Sequence, residues 1–295
     1  MNDPSGKLGG RLLIVAAAVL WSTGGFFAKA PVFLVWEETA RGPLLAFWRS
    51  VFAALVLLPL VRRPRWRPEL LPLSLAFPAM NVTYLSAVAL TTAANAIWLQ
   101  STAPWWVFLI SVAILREPLM RRELFPLAFA VAGVGIILAF EAVGEHRAGV
   151  FLGMLSGVMF AAVIVLLRQM RAEKAAWLIA LCHGVTAVAL LPWVAYYGVW
   201  PTAAQLLVLA AFGTVQMAVP YILLNRALRS IGSQEAVLIC LLEPVLNPVL
   251  VLVWGERPAL WTVAGAAFIL LGLLLRYTLL QIPRRVAPAE IPRRP

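Results

Sequence analysis

The stretch "LLPLSLAFPAMNVTYLSAVALTTAANAIWLQSTAPWWVFLISVAIL", Leu70–Leu115, contains no Asp, Glu, Lys or Arg. About 20 apolar residues in a helix cross a bilayer core once, so this run is long enough to cross twice. The polar "TTAAN" at Thr91–Asn95, near its middle, supplies the turn. A second charge-free run, Ala175–Asn225, repeats the pattern around "YGVWPT" at Tyr197–Thr202. Both runs read as helical hairpins in hydrocarbon, where backbone polar groups must be satisfied within the segment.

The rest of the 295 residues fit the same class. Hydrophobic residues make up 62% and charged residues 13%, with mean hydropathy +0.90; soluble domains carry about 45–50% and about 25%. Runs of spanning length fall at 10–29, 43–61, 70–90, 94–115, 124–141, 148–168, 176–197, 203–225, 234–254 and 259–281. They predict an all-α polytopic membrane protein with ten transmembrane helices. Lys7, Arg11 and the apolar run after them superficially resemble a signal peptide ending at "AKA", but Pro31 directly after that site argues for a retained first span.

Charge sets the orientation. With these spans, nineteen of the 24 Lys and Arg residues fall on the N-tail, the alternate loops and the C-tail. Lys29, Arg41, Arg147 and Arg257 fall on the other face, and Arg49 is left inside the second span. Basic residues collect in cytoplasmic loops, so both termini are expected on the cytoplasmic side of an inner or plasma membrane. The same rule explains the net charge of +11 without a nucleic-acid partner. Cys182 and Cys240 lie within apolar spans and read as small core residues, with no disulfide framework or metal site.

The halves of the chain echo each other. Gly10 precedes Trp21 by eleven residues and Lys29 follows eight later; Gly149 precedes Phe160 by eleven and Arg168 follows eight later. Pro104 and Pro244 lead to Glu117 and Glu256, thirteen and twelve residues on, and Gly133 and Gly272 each come sixteen residues after their glutamate. Ala89-Leu90 matches Ala227-Leu228. The expected organisation is one repeat over 1–145, a second over 146–282, and a basic cytoplasmic tail over 283–295. A five-span unit crosses an odd number of times, so its second copy enters upside down. Such inverted repeats characterise secondary transporters with a site near the bilayer midplane.

"AVLWSTGGFFAKA", "FWRSVFAALVLLPLV", "APWWVFLISVAILREP" with "GVGIILAF", and "LEPVLNPVLVLVWGERP" with "GAAFILLGLLL" together resemble the EamA-type permeases of the drug/metabolite transporter superfamily. The resemblance covers almost the whole chain. It implies ten helices as two inverted five-helix repeats around a central cavity, and movement of small metabolites across the membrane. One departure stands out: Arg49 matches a family arginine in the second span, whereas the corresponding part of the seventh has His183.

Charges within a span cost about 2.5–3.5 kcal/mol on insertion scales, so the intramembrane polar residues are the candidates for substrate binding or translocation. They are Trp21, Ser22, Arg49, Asn81, Tyr84, Trp98, Gln100, Trp105, His183, Gln216, Tyr221, Glu243 and Asn247. Glu243 and Asn247 share a helix face. Pro104, Pro244 and Pro248 are expected helix breaks, since proline lacks the N–H of an i→i−4 bond. Glu243 reads either as a substrate-amine or proton-coupling carboxylate, or as an internal partner of Arg49, His183 or Gln216. Arg49 needs an anion, from a substrate or from a carboxylate of the protein. Glu117 and Glu256 read as gate or loop pairs with Arg116 and Arg257, or as solvated ends.

No phosphate-cradling loop and no metal-ligand spacing occurs, so neither a cofactor nor ATP hydrolysis is expected. The expected partners are a small-molecule substrate, the lipid bilayer, and protons if transport is coupled; oligomeric state is left open. The favoured function is a permease or exporter for a small amphipathic metabolite, amino-acid-like first. A lipid-linked or nucleotide-sugar carrier is the alternative. An intramembrane enzyme is the remote one, with only Ser22 and His183 to offer as a reactive pair.

Overall fold

The computed structural model describes residues 4–62, 64–113, 124–141, 146–170, 173–227, 230–231, 236 and 239–281. The expected loop with Arg116 and Glu117, much of the start of the ninth span, and the 283–295 tail lie outside them. Among the described residues the regular structure is all helical: α1 Pro4–Ala28, α2 Glu38–Leu57, α3 Leu70–Leu90, α4 Ala93–Gln100, α5 Ala103–Ala113, α6 Leu124–Glu141, α7 Arg147–Gln169, α8 Ala175–Tyr197, α9 Ala203–Ala211, a π-helical segment Phe212–Ala218, α10 Val219–Ala227, α11 Leu242–Val251 and α12 Leu260–Gln281.

Seven of these segments are long and apolar enough to cross a membrane: Lys7–Ala28, Glu38–Leu60, Leu70–Leu90, Leu124–Glu141, Arg147–Leu167, Ala175–Tyr197 and Ala203–Leu224. Their surroundings agree. Val188 is 72% and Leu207 74% exposed, whereas Arg49 and Asn81 are 1% and 0% exposed. A water-soluble fold solvates its charges; here apolar residues cover much of the outside as well as the core while Arg49 is sealed within, as a lipid-facing surface requires.

Of the three remaining expected spans, 259–281 is the continuous helix α12, and the other two take other forms. The 94–115 run is two helices, α4 and α5, interrupted at Ser101–Thr102. The 234–254 run shows a turn at Leu241, after which α11 and a 3-10 turn reach Trp254. Both interruptions fall just before a proline, Pro104 and Pro244, whose ring clashes with the carbonyl a turn earlier. Pro248 does not break its helix: α11 runs through it.

Helix packing is duplicated about the middle of the chain. α1 packs on α10 and α11, and α7 packs correspondingly on α3, α4 and α5; α2 pairs with α8, and α6 with α12. The glycines make the duplication visible at atomic scale. A Cβ on Gly133 would lie 2.4 Å from the Gly265 oxygen and 2.9 Å from the Ile269 nitrogen; on Gly272 it would lie 2.8 Å from the Pro126 oxygen and 3.2 Å from the Ala130 nitrogen. Each residue of the first set is 139 positions from its counterpart in the second. Gly10 presses likewise on Ala227 and Ile231, and Gly149 on Leu90 and Thr91. Only a residue without a side chain permits backbones this close.

Candidate functional site

Arg49, halfway along α2, organises the interior. Its Nη1 donates to Gln216 Oε1 at 3.2 Å and its Nη2 donates to Asn81 Oδ1. Its Cζ sits 5.0 Å from the centroid of the Phe212 ring, a cation–π contact that gains strength where water is excluded. Each amide is fixed at its other end: Asn81 Nδ2 donates to the Phe77 carbonyl at 3.2 Å and Gln216 Nε2 to the Trp21 carbonyl at 3.4 Å. The amide oxygens therefore point at the guanidinium and cannot exchange places with the nitrogens without losing both anchors. The cation is held by neutral groups rather than by the salt bridge its burial called for. Among the described residues, Glu243 of α11 is the carboxylate in its neighbourhood, without forming an ion pair with it.

Gln216 reaches Arg49 because the eighth expected span is not a uniform helix. Phe212–Ala218 winds as a π-helix, a form concentrated at functional sites. Gly213 in that segment lies against α2: a Cβ there would stand 2.5 Å from the Arg49 carbonyl oxygen. Phe212 also stacks on Phe27 with centroids 5.4 Å apart.

Beside this cation lies a wall built from α1, α3, α10 and α11. The Trp21 and Tyr221 rings meet edge to face at 5.3 Å. Asn247 is 0% exposed, and among the described residues neither its Nδ2 nor its Oδ1 makes a hydrogen bond of good geometry, although the Tyr84 hydroxyl lies within reach of its carboxamide. The side chain nests on α1, where Gly25 leaves room: a Cβ there would fall 2.4 Å from Asn247 Oδ1. His183, also 0% exposed, approaches the cluster from α8, its Nδ1 3.2 Å from Ser50 Oγ and its ring edge to face with Phe77 at 5.0 Å. Its Nε2 makes no hydrogen bond among the described residues.

The structure thus brings together Trp21, Arg49, Asn81, Tyr84, His183, Gln216, Tyr221, Glu243 and Asn247. The others stand differently. Ser22 Oγ donates to the Ala18 carbonyl of its own helix at 2.6 Å. Trp98 and Trp105 belong to the hydrophobic core, and Trp98 also lines a groove of about 320 Å³ with Val245, Pro248 and Thr262. Gln100 is half-buried, with its backbone oxygen near Gly157 of α7. Sequence reasoning missed Ser50, Phe212 and the π-helical turn; Gly213 between an aromatic residue and a polar stretch was the only trace.

Glu256 pairs with Lys29, not with the adjacent Arg257. Lys29 Nζ lies 3.1 Å from Glu256 Oε2 and donates to the Thr91 carbonyl at 2.7 Å. Glu256 Oε1 accepts from the Ala93 N–H at 2.7 Å, capping α4. A turn away, Trp254 Nε1 donates to the Phe26 carbonyl at 2.8 Å and the two rings stack at 4.9 Å. Among the described residues no three His, Cys, Asp or Glu side chains gather as a metal site.

The chain is similar to known proteins over most of its length. Residues 8–139 and 147–278 each match the EamA-like transporter family. An uncharacterized transporter of Archaeoglobus fulgidus is 29% identical over 272 residues, covering 91% of this chain and 96% of its own. A protein of known crystal structure superposes with a TM-score of 0.65 at 18% identity, over 94% of this chain and all of its own.

Proposed function

This chain belongs to the EamA-like transporter family, part of the drug/metabolite transporter superfamily, and we propose that it is a secondary permease for a small amphipathic, amino-acid-like metabolite. The observation that carries this reading is the centre of the molecule. A cation held in place by Gln216 and Asn81, Arg49, shares the interior with a carboxylate, Glu243, and with the paired Trp21 and Tyr221 rings. A substrate with a carboxylate, an amine and an apolar part has a complement for each.

Alternating access is the mechanism that suits a two-repeat fold. In this reading ten helices form two inverted five-helix repeats, with 1–145 and 146–282 as the repeating units and α4–α5 as one interrupted span. The duplicated contacts of Gly133 and Gly272 support it. Both termini are cytoplasmic in an inner or plasma membrane, which puts Lys29 and Glu256 on the opposite face. Glu243 is the residue suited to carry a coupling proton, since intramembrane carboxylates serve in proton relays.

Comparing small metabolites inside and outside cells that express or lack the chain tests the reading. Amino-acid-like compounds should redistribute across the membrane with expression. Unchanged pools in every such compound would overturn it.

A further inference from the structure

The seam between α1 and α11 holds two features that work against each other. At its end, Lys29 and Glu256 join the close of α1 to the segment after α11, and the Thr91 carbonyl and Ala93 N–H tie in the α3–α4 junction. The Lys29 and Glu256 side chains keep 20% and 17% of their exposure, so water reaches the pair and weakens it relative to a sealed one. Trp254 on Phe26 adds a stacked contact and a hydrogen bond beside it. Deeper in the same seam, Asn247 is sealed against Gly24 and Gly25 with its carboxamide unbonded. A buried amide without a partner penalises the state that buries it. Val251, one turn after Asn247 and also fully buried, lies against Gly25 and completes the seal.

We propose that the α1–α11 seam is a gate on the Lys29–Glu256 face, latched by that ion pair and loaded to open by the unsatisfied Asn247. The latch favours the closed state and Asn247 opposes it, so the two states stay within reach of each other. Opening exposes the Asn247 carboxamide to water or to a substrate's polar groups, which then make the hydrogen bonds it lacks when closed. The asymmetry fits a device specific to this half: the sequence aligns Asn247 with Val107, which has no amide to bury. The proposal rests on the alternating-access reading, but its test requires no substrate.

The test uses the full chain in proteoliposomes, with Cys182 and Cys240 replaced by alanine and Val251→Cys as the reporter. The rate at which a membrane-impermeant maleimide labels this cysteine measures how often the seam opens. Lys29→Gln and Glu256→Gln, each removing the latch, should speed labelling, by about tenfold if the loss matches a charge-assisted hydrogen bond. Asn247→Leu, similar in shape and free of polar atoms, should slow it by about five- to a hundredfold. Combining Asn247→Leu with Glu256→Gln should return an intermediate rate, and Lys29→Arg should keep the parental one. Unchanged labelling in both latch variants would overturn the proposal, as would faster labelling in Asn247→Leu. Helix content and gel-filtration profile identify any variant that fails to fold; the milder Glu256→Asp, with its shorter reach, then replaces Glu256→Gln and should label at a rate between parental and Lys29→Gln. Labelling that follows these rules while no metabolite moves would leave the gate standing and count against the permease reading instead.

Discussion

At the residue scale, the sequence made the cost of Arg49 plain and left its solution hidden. An arginine inside a charge-free environment has to be compensated, and a carboxylate was the obvious compensation. The structure uses two side-chain amides and an aromatic face instead. Sequence cannot reveal this, because Asn81 and Gln216 come from spans whose mutual placement depends on tertiary packing. The arrangement makes arginine irreplaceable by lysine, whose single ammonium cannot bridge two acceptors in a plane and sheds its proton when buried. Arg49→Lys should lower transport by about ten- to a hundredfold, the worth of a lost hydrogen bond to a charge, with helix content by circular dichroism unchanged. Glu243 makes a separable prediction. Glu243→Gln keeps the size and loses the titrating group, so accumulation driven by an imposed pH gradient should vanish, while substrate exchange should persist at a reduced rate because the amine keeps a hydrogen-bond acceptor but loses its charged partner. Gradient-driven uptake equal to that of the parent protein would remove Glu243 from proton coupling.

At the element scale, hydropathy placed most helices and missed their irregularities. The Leu70–Leu90 and Ala175–Tyr197 helices lie where charge-free runs and turn residues put them. α2 begins at Glu38, earlier than the apolar run, because the Glu37 carbonyl accepts from the Ala40 and Arg41 N–H groups and starts the turn outside the apolar stretch. The interruption before Pro104 was written in the sequence, whereas the π-helical turn at Phe212–Ala218 was not: one extra residue per turn leaves the apolar pattern almost unaltered. That turn makes Gly213 a sensitive position. Gly213→Ala puts a methyl group within 2.5 Å of the Arg49 carbonyl oxygen, and such overpacking costs about 1–3 kcal/mol. A lowered melting temperature in detergent, with transport reduced further than the same loss of stability causes elsewhere, is the expected result. A Cβ on Gly135 would meet nothing within 4 Å, so Gly135→Ala is the matched control and should leave both properties unchanged.

At the scale of the whole molecule, the duplication was legible because it rests on glycines and prolines, whose backbone roles tolerate little substitution. Gly10 and Gly149, or Gly133 and Gly272, mark equal positions in sequence and make equivalent contacts in space. The polar site was less legible for the opposite reason: it breaks the duplication, with Arg49, Glu243 and Asn247 each on one side only. Under the proposed function, such a one-sided centre in a duplicated frame is where the selectivity for cargo resides. Counterflow in proteoliposomes tests this most directly: vesicles loaded with a mixture of unlabelled amino acids are diluted into labelled ones, and internal label is followed over time. The account predicts a transient overshoot with the parent protein that Arg49→Lys reduces about ten- to a hundredfold. An overshoot of the same size in parent and Arg49→Lys vesicles, or none in either with any amphipathic amino acid, would contradict it.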